Sequence, residues 1–143
     1  MYSLIYFVLF SFLPYSYSKD IKDFSLPTYK DNKIFQLSKN LKKYDKILIN
    51  FWASWCTGCI EELAELEALK NKYKNVLFIA INAGEKKRKI DKFIKKYNFS
   101  YLILEDKDRL VSKKLNVKHL PQTIVIDKKK KILFRGDRPP KKI

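Results

Sequence analysis

Apolar residues in this chain fall into two kinds of run: short unbroken blocks, and stretches in which they recur every third or fourth position. Ile47–Phe51 is nearly continuous, as a strand covered on both faces requires. From Gly58 to Tyr73, Ile60, Leu63, Leu66, Leu69 and Tyr73 keep helical spacing. Glu61, Glu62, Glu65 and Glu67 supply the acidic remainder, early in that helix where its dipole favours them. Val76–Ile81 reads as a second buried strand, and Lys86–Tyr97 as a basic helix with Ile90, Phe93, Ile94 and Tyr97 on its apolar side. Tyr101–Leu104 predicts a third strand and Arg109–Leu115 a short helix. Pro121 introduces a strand over Gln122–Ile126, and Lys130–Phe134 follows across a lysine-rich turn. Ahead of these, Phe24–Pro27 and Lys33–Leu37 are short extended pieces around the turn pair Asp31-Asn32. Strand, helix, strand, helix, strand and hairpin together predict an α/β sandwich with a mixed central sheet flanked by helices.

The start of the chain is different. Residues 2–13 form an uncharged apolar block broken by Pro14, and Ser16-Tyr17-Ser18 offers small residues before Lys19-Asp20. The block is too short to span a bilayer comfortably, so residues 1–18 read as a signal peptide. No Lys or Arg precedes the block, which leaves an uncleaved N-terminal anchor as the alternative. Residues 19–143 then make one domain, large enough for a real core and too small for two. An exported protein with a single cysteine pair fits an oxidising compartment, and the absence of further cysteines excludes a disulfide-stapled scaffold.

Net charge is +16, nearly all from lysine, with arginine only at positions 88, 109, 135 and 138. No motif of a nucleic-acid-binding fold accompanies the charge, so nucleic acid is not an expected partner. A solvated lysine coat is the simpler reading; a surface for an acidic partner or anionic lipid is the other.

Both cysteines lie in Trp55-Cys56-Thr57-Gly58-Cys59, where a predicted strand gives way to a predicted helix. A thiol at a helix N-terminus gains thiolate character from unpaired N–H groups and the helix dipole. A second thiol one turn on can attack a mixed disulfide formed at the first. Tetrahedral zinc needs four ligands, whereas the chain offers these two thiols and one histidine, His119. Dithiol/disulfide exchange is the better reading.

Asn50-Phe-Trp-Ala-Ser-Trp-Cys-Thr-Gly-Cys59 and Val117-Lys-His-Leu-Pro-Gln-Thr-Ile-Val-Ile-Asp127 resemble the motifs of thioredoxin-fold proteins. More closely, the chain is similar to the exported TlpA-like thiol-disulfide oxidoreductases, which include cytochrome c maturation reductases. Phe24–Pro27 resembles that family's N-terminal β-hairpin extension. The resemblance implies Cys56 as nucleophile, Cys59 as resolving thiol and Pro121 as the cis-proline facing them. It also implies a substrate-binding backbone edge at Leu120, a mode that needs no particular side chain. Trp55 is the tryptophan expected to touch substrate, and Trp52 to pack beside the site. Glu62 matches a glutamate that these reductases place near the thiols. At three residues after Cys59 it shares that residue's helix face, where a carboxylate can take the resolving thiol's proton. The alternative is one of four glutamates on a solvated face. Cytosolic thioredoxins carry a buried Asp where this chain has Asn50.

Three departures stand out: Gly58 where the family usually has proline, His119 where it tends to carry small residues, and no residues for its C-terminal helix. The implied partners are protein disulfides such as those of apocytochrome c and a membrane-bound thiol electron donor. The implied location is the periplasm, with peripheral or anchored membrane association as an option. No cofactor or metal is implied. Rival readings are an oxidant that introduces disulfides and a Cu(I) chaperone using Cys56, Cys59 and His119.

Overall fold

The computed structural model describes residues 20–143, so the expected signal segment lies outside the described residues. In chain order the elements are β1 (Ser25–Pro27), β2 (Ile34–Gln36), α1 (Leu37–Asn40), β3 (Lys46–Trp52), α2 (Thr57–Glu61) and α3 (Leu63–Lys72). There follow β4 (Val76–Ala83), α4 (Lys87–Tyr97), β5 (Leu102–Asp106), α5 (Leu110–Lys114), β6 (Gln122–Asp127) and β7 (Ile132–Gly136). Five strands form one sheet in the order β5-β4-β3-β6-β7, and β1 and β2 pair as a separate hairpin with Leu26 opposite Phe35. β3, β4 and β5 run parallel, while β6 and β7 are antiparallel to their neighbours. This is the expected mixed α/β sandwich.

Strand periodicity assigns each β3 side chain to a layer. Ile47, Ile49 and Phe51 face the layer built from the N-terminal segment, the hairpin, α1 and α5, where they meet Leu26, Phe35, Leu37, Val111 and Leu115. Leu48 faces the other way, onto Leu66 and Leu69 of α3. Trp52 shares that second face and packs with Ile90 and Phe93 of α4. Asn50 falls between Leu48 and Trp52 on the same face, so the strand presents one polar side chain beneath the α2–α3 region.

The chain on the two sides of β1 fastens two distant parts of the sheet. Ile21 N–H donates to Lys130 O at the β6–β7 turn, and Asp20 pairs with Lys131. Just after β1, Tyr29 N–H donates to Ile103 O and Thr28 bridges to Leu104, on the edge strand β5.

Three expectations need adjusting. The single helix over Gly58–Tyr73 is two, joined at Glu62, whose side chain turns inward to Asn50 instead of outward like Glu61 and Glu65. Leu37 ends no strand; it starts α1, because Ser38 N–H is capped by the distant Asp23 carboxylate at 2.9 Å. After β7, residues 137–143 form no helix, as expected, but Ile143 packs against the cluster of Leu48, Leu66 and Val125 and covers part of that face. Among the described residues no helix is long and apolar enough to cross a membrane.

Candidate active site

The chain leaves β3 at Trp52 and turns at once, Cys56 N–H donating to Ala53 O at 3.2 Å. Cys56 is the N-cap of α2, with an extended backbone, and its sulfur accepts from Cys59 N–H at 3.2 Å. A sulfur placed as a cap is stabilised as thiolate by that N–H. Cys56 and Cys59 are joined in a disulfide and are 4% and 2% exposed, packed with Trp52, Ala53 and Phe93. Trp52 is buried against the rings of Phe93 and Phe99, whereas Trp55 is 67% exposed beside the pair.

The Leu120–Pro121 bond is cis. Pro121 lies directly over α2: a Cβ added to Gly58 would stand 3.0 Å from Pro121 Cδ. The departure at position 58 thus leaves the helix backbone close under the proline ring. Leu120 is half-buried and packs against the clusters on both sides of the sheet.

Glu62 is only 1% exposed, unlike the solvated glutamate of the alternative reading. Its Oε1 accepts from Asn50 Nδ2 at 2.6 Å, and Asn50 Nδ2 also donates to Thr123 Oγ1 at 3.2 Å on the neighbouring strand β6. Oε2 is buried with no partner in the protein. Burial pushes the Glu62 carboxyl up to about 7, against the opposing pull of the Asn50 hydrogen bond and the positive charge of Arg138. A carboxyl in that range can take or give a proton near neutrality.

His119 is not directed to such a role. Its exposed ring is held by Asp137, Nε2 to Oδ1 at 2.6 Å, which ties the cis-proline loop to the segment after β7. Among the described residues no three His, Cys, Asp or Glu side chains are grouped as metal ligands would be.

Sequence reasoning missed a second polar cluster on the same turn. Glu85, at the end of β4, accepts from Ser54 N–H at 2.7 Å, Ser54 Oγ at 2.5 Å and Asn82 Nδ2 at 2.8 Å. The signal was present in two forms: Asn82 ends a buried strand, and Glu85 opens a run of lysines.

Comparison with known proteins agrees with this geometry. The AhpC/TSA family model matches residues 18–135. The chain is 34% identical over 84 residues to the thiol-disulfide oxidoreductase ResA of Geobacillus kaustophilus, covering 57% of this chain and 48% of that one. It is 33% identical over 111 residues to the thioredoxin-like protein YneN of Bacillus subtilis, covering 75% and 63%. It therefore spans about half to two-thirds of the length of these relatives. A solved thiol-disulfide oxidoreductase from Bacteroides fragilis superposes with a TM-score of 0.75 at 30% identity, over 85% of this chain and 92% of that one. With the capped cysteine pair, the cis-proline above it and a family match across nearly the whole described domain, the chain belongs to the AhpC/TSA family and, as its motifs led one to expect, resembles the TlpA-like thiol-disulfide oxidoreductases.

Proposed function

We propose that the protein is an exported thiol-disulfide oxidoreductase that reduces disulfides in other proteins. The observation that carries this reading is Cys56 as helix N-cap, bonded to Cys59 across the turn whose Gly58 lies against cis-Pro121. In the reduced enzyme the Cys56 thiolate attacks one sulfur of a substrate disulfide. That S–S bond breaks, and the other substrate sulfur leaves as a thiolate and is protonated. Cys59 gives its proton to Glu62, and its sulfur attacks the Cys56 sulfur of the mixed disulfide. The second substrate sulfur leaves and is protonated. The substrate gains two electrons and two protons, and the enzyme holds the Cys56–Cys59 disulfide until a dithiol donor reduces it.

Trp55 and the Leu120–Pro121 backbone flank the pair and are the proposed substrate contacts, an extended segment lying along the cis-proline loop. The resemblance of the motifs to the TlpA-like reductases supports a periplasmic or similarly extracytoplasmic setting, with a membrane-bound thiol donor and apocytochrome c as a candidate substrate. A Cu(I) chaperone has less support, because the His119 ring is engaged by Asp137. The test is Cys59→Ser in cells: mixed disulfides with partner proteins should accumulate on Cys56 and vanish in Cys56→Ser, Cys59→Ser. No trapped partner, together with no reduction of a model disulfide by the wild type, would sink the reading. The reduction potential of the pair separates a reductase from an oxidant.

A further inference from the structure

The turn that carries Cys56 has no regular structure of its own: it leaves β3 at Trp52 and enters α2 at Thr57. Its position depends on what grips it. Within the turn Cys56 N–H reaches Ala53 O, a single bond 3.2 Å long. Ser54, two residues before the nucleophile, is gripped from outside. Glu85 Oε2 accepts from its N–H at 2.7 Å and Glu85 Oε1 from its hydroxyl at 2.5 Å, a two-point hold by one carboxylate. Charge-assisted bonds of this kind are the stronger ones, and two of them fix an orientation as well as a distance.

Glu85 is itself fixed. Oε2 also accepts from Asn82 Nδ2 at 2.8 Å, and Glu85 N–H donates to Asn82 Oδ1 at 3.1 Å. Asn82 stands opposite Trp52 in the β3–β4 register, so the clamp is anchored one strand away from where the turn begins. Gly84 makes the return possible. Its φ of +84° is a conformation other residues adopt only with strain, and a Cβ there would stand 2.9 Å from Arg109 Cγ. Glu85 is 9% exposed, and its charge is balanced by these donors.

We propose that Glu85 is a positioning residue for the dithiol: its carboxylate locks the Ser54 turn to the end of β4 and so holds the Cys56 sulfur where Cys59 can reach it. This rests on the dithiol reading above. Rigid placement raises the effective concentration of one thiol at the other, which favours the disulfide over the open dithiol. Releasing the turn lowers that concentration.

The experiment is the equilibrium of the Cys56–Cys59 pair with glutathione at pH 7, where thiolate is present for exchange, with charge-neutral variants included to separate geometry from charge. Glu85→Ala should lower the oxidation constant about threefold to tenfold, tenfold being about 30 mV for a two-electron couple. Ser54→Ala, which changes no charge, should move it the same way by less. The double variant should do little more than Glu85→Ala, because both changes release one clamp. Glu85→Gln, which keeps an acceptor in place, should restore most of the loss. Unchanged constants in folded Glu85→Ala and Ser54→Ala, or a strictly additive double variant, would overturn the positioning role. A wild type that forms no disulfide with glutathione at all would instead overturn the dithiol reading.

Discussion

Asn50 donates a 2.6 Å hydrogen bond to Glu62 Oε1 while Glu62 Oε2, equally buried, meets no partner in the protein. The two oxygens of one carboxyl are therefore unequal: one is held, and the other is where a proton can reside. Asn50→Leu removes the Asn50 donor to that carboxyl and should raise Glu62 further. Resolution of a mixed disulfide by Cys59, followed by stopped flow, should then need a higher pH. The same variant should cost about 1–3 kcal/mol at pH 8, and less at pH 5 where Glu62 is neutral. A pH profile identical to wild type would show that Asn50 does not govern this carboxyl.

Glu62 also imposes a pH dependence on stability. Its carboxyl is raised from 4.5 to about 7 by burial. Below pH 4.5 it is protonated in folded and unfolded chains alike and costs nothing. Between 4.5 and 7 the unfolded chain releases the proton and the folded one keeps it, so stability falls as pH rises. Above 7 the loss is complete, on the order of 3 kcal/mol. Urea unfolding from pH 4.5 to 8 should show this decline in the wild type and its absence in Glu62→Gln; parallel curves would refute it.

Gly58 is the second residue of α2, where alanine would ordinarily add up to about 0.5–1 kcal/mol. The Pro121 ring, 3.0 Å from the would-be Cβ, works against that gain. Gly58→Ala should thus show little added stability in urea, or a loss. A full gain would mean that the gap between α2 and the cis-proline loop is open.

Tyr29 ties the hairpin side of the molecule to α4. Its hydroxyl donates to Asp91, which pushes the Tyr29 hydroxyl up to about 12, and Lys87 Nζ lies 5.0 Å from its ring centre. Tyr29→Phe keeps the ring and loses the hydrogen bond. The expected cost is about 1 kcal/mol by chemical denaturation. No change in the midpoint would show the bond to be immaterial.

Much of this was legible before any coordinates. The blocks at Ile47–Phe51 and Val76–Ile81 marked their strands because parallel strands are buried on both faces. Cys56 and Cys59 were legible because their spacing and neighbours are specific, and Pro121 through the motif that resembles the family's cis-proline. What escaped was long-range. Glu62 itself was marked by its match to the family's glutamate, but its partner was not: only the fold brings Asn50 beneath it and breaks the helix there. Asp23 caps α1 across fifteen positions of sequence, which no local pattern can announce. Glu85 likewise depends on the β3–β4 register, since that pairing is what brings Asn82 and the Ser54 turn together.

The strap of residues 20–29, which contains β1, bears on the order in which the molecule can assemble. Ile21 binds Lys130, a residue close to the end of the chain, and Tyr29 binds Ile103. On a ribosome the strap emerges before β3 to β7, yet its contact with Lys130 must wait until β6 and the turn after it have been synthesised. Contacts so distant in sequence are slow to close. Docking of this strap should therefore come late in folding, and until it docks the edge of β5 stays open to other strands.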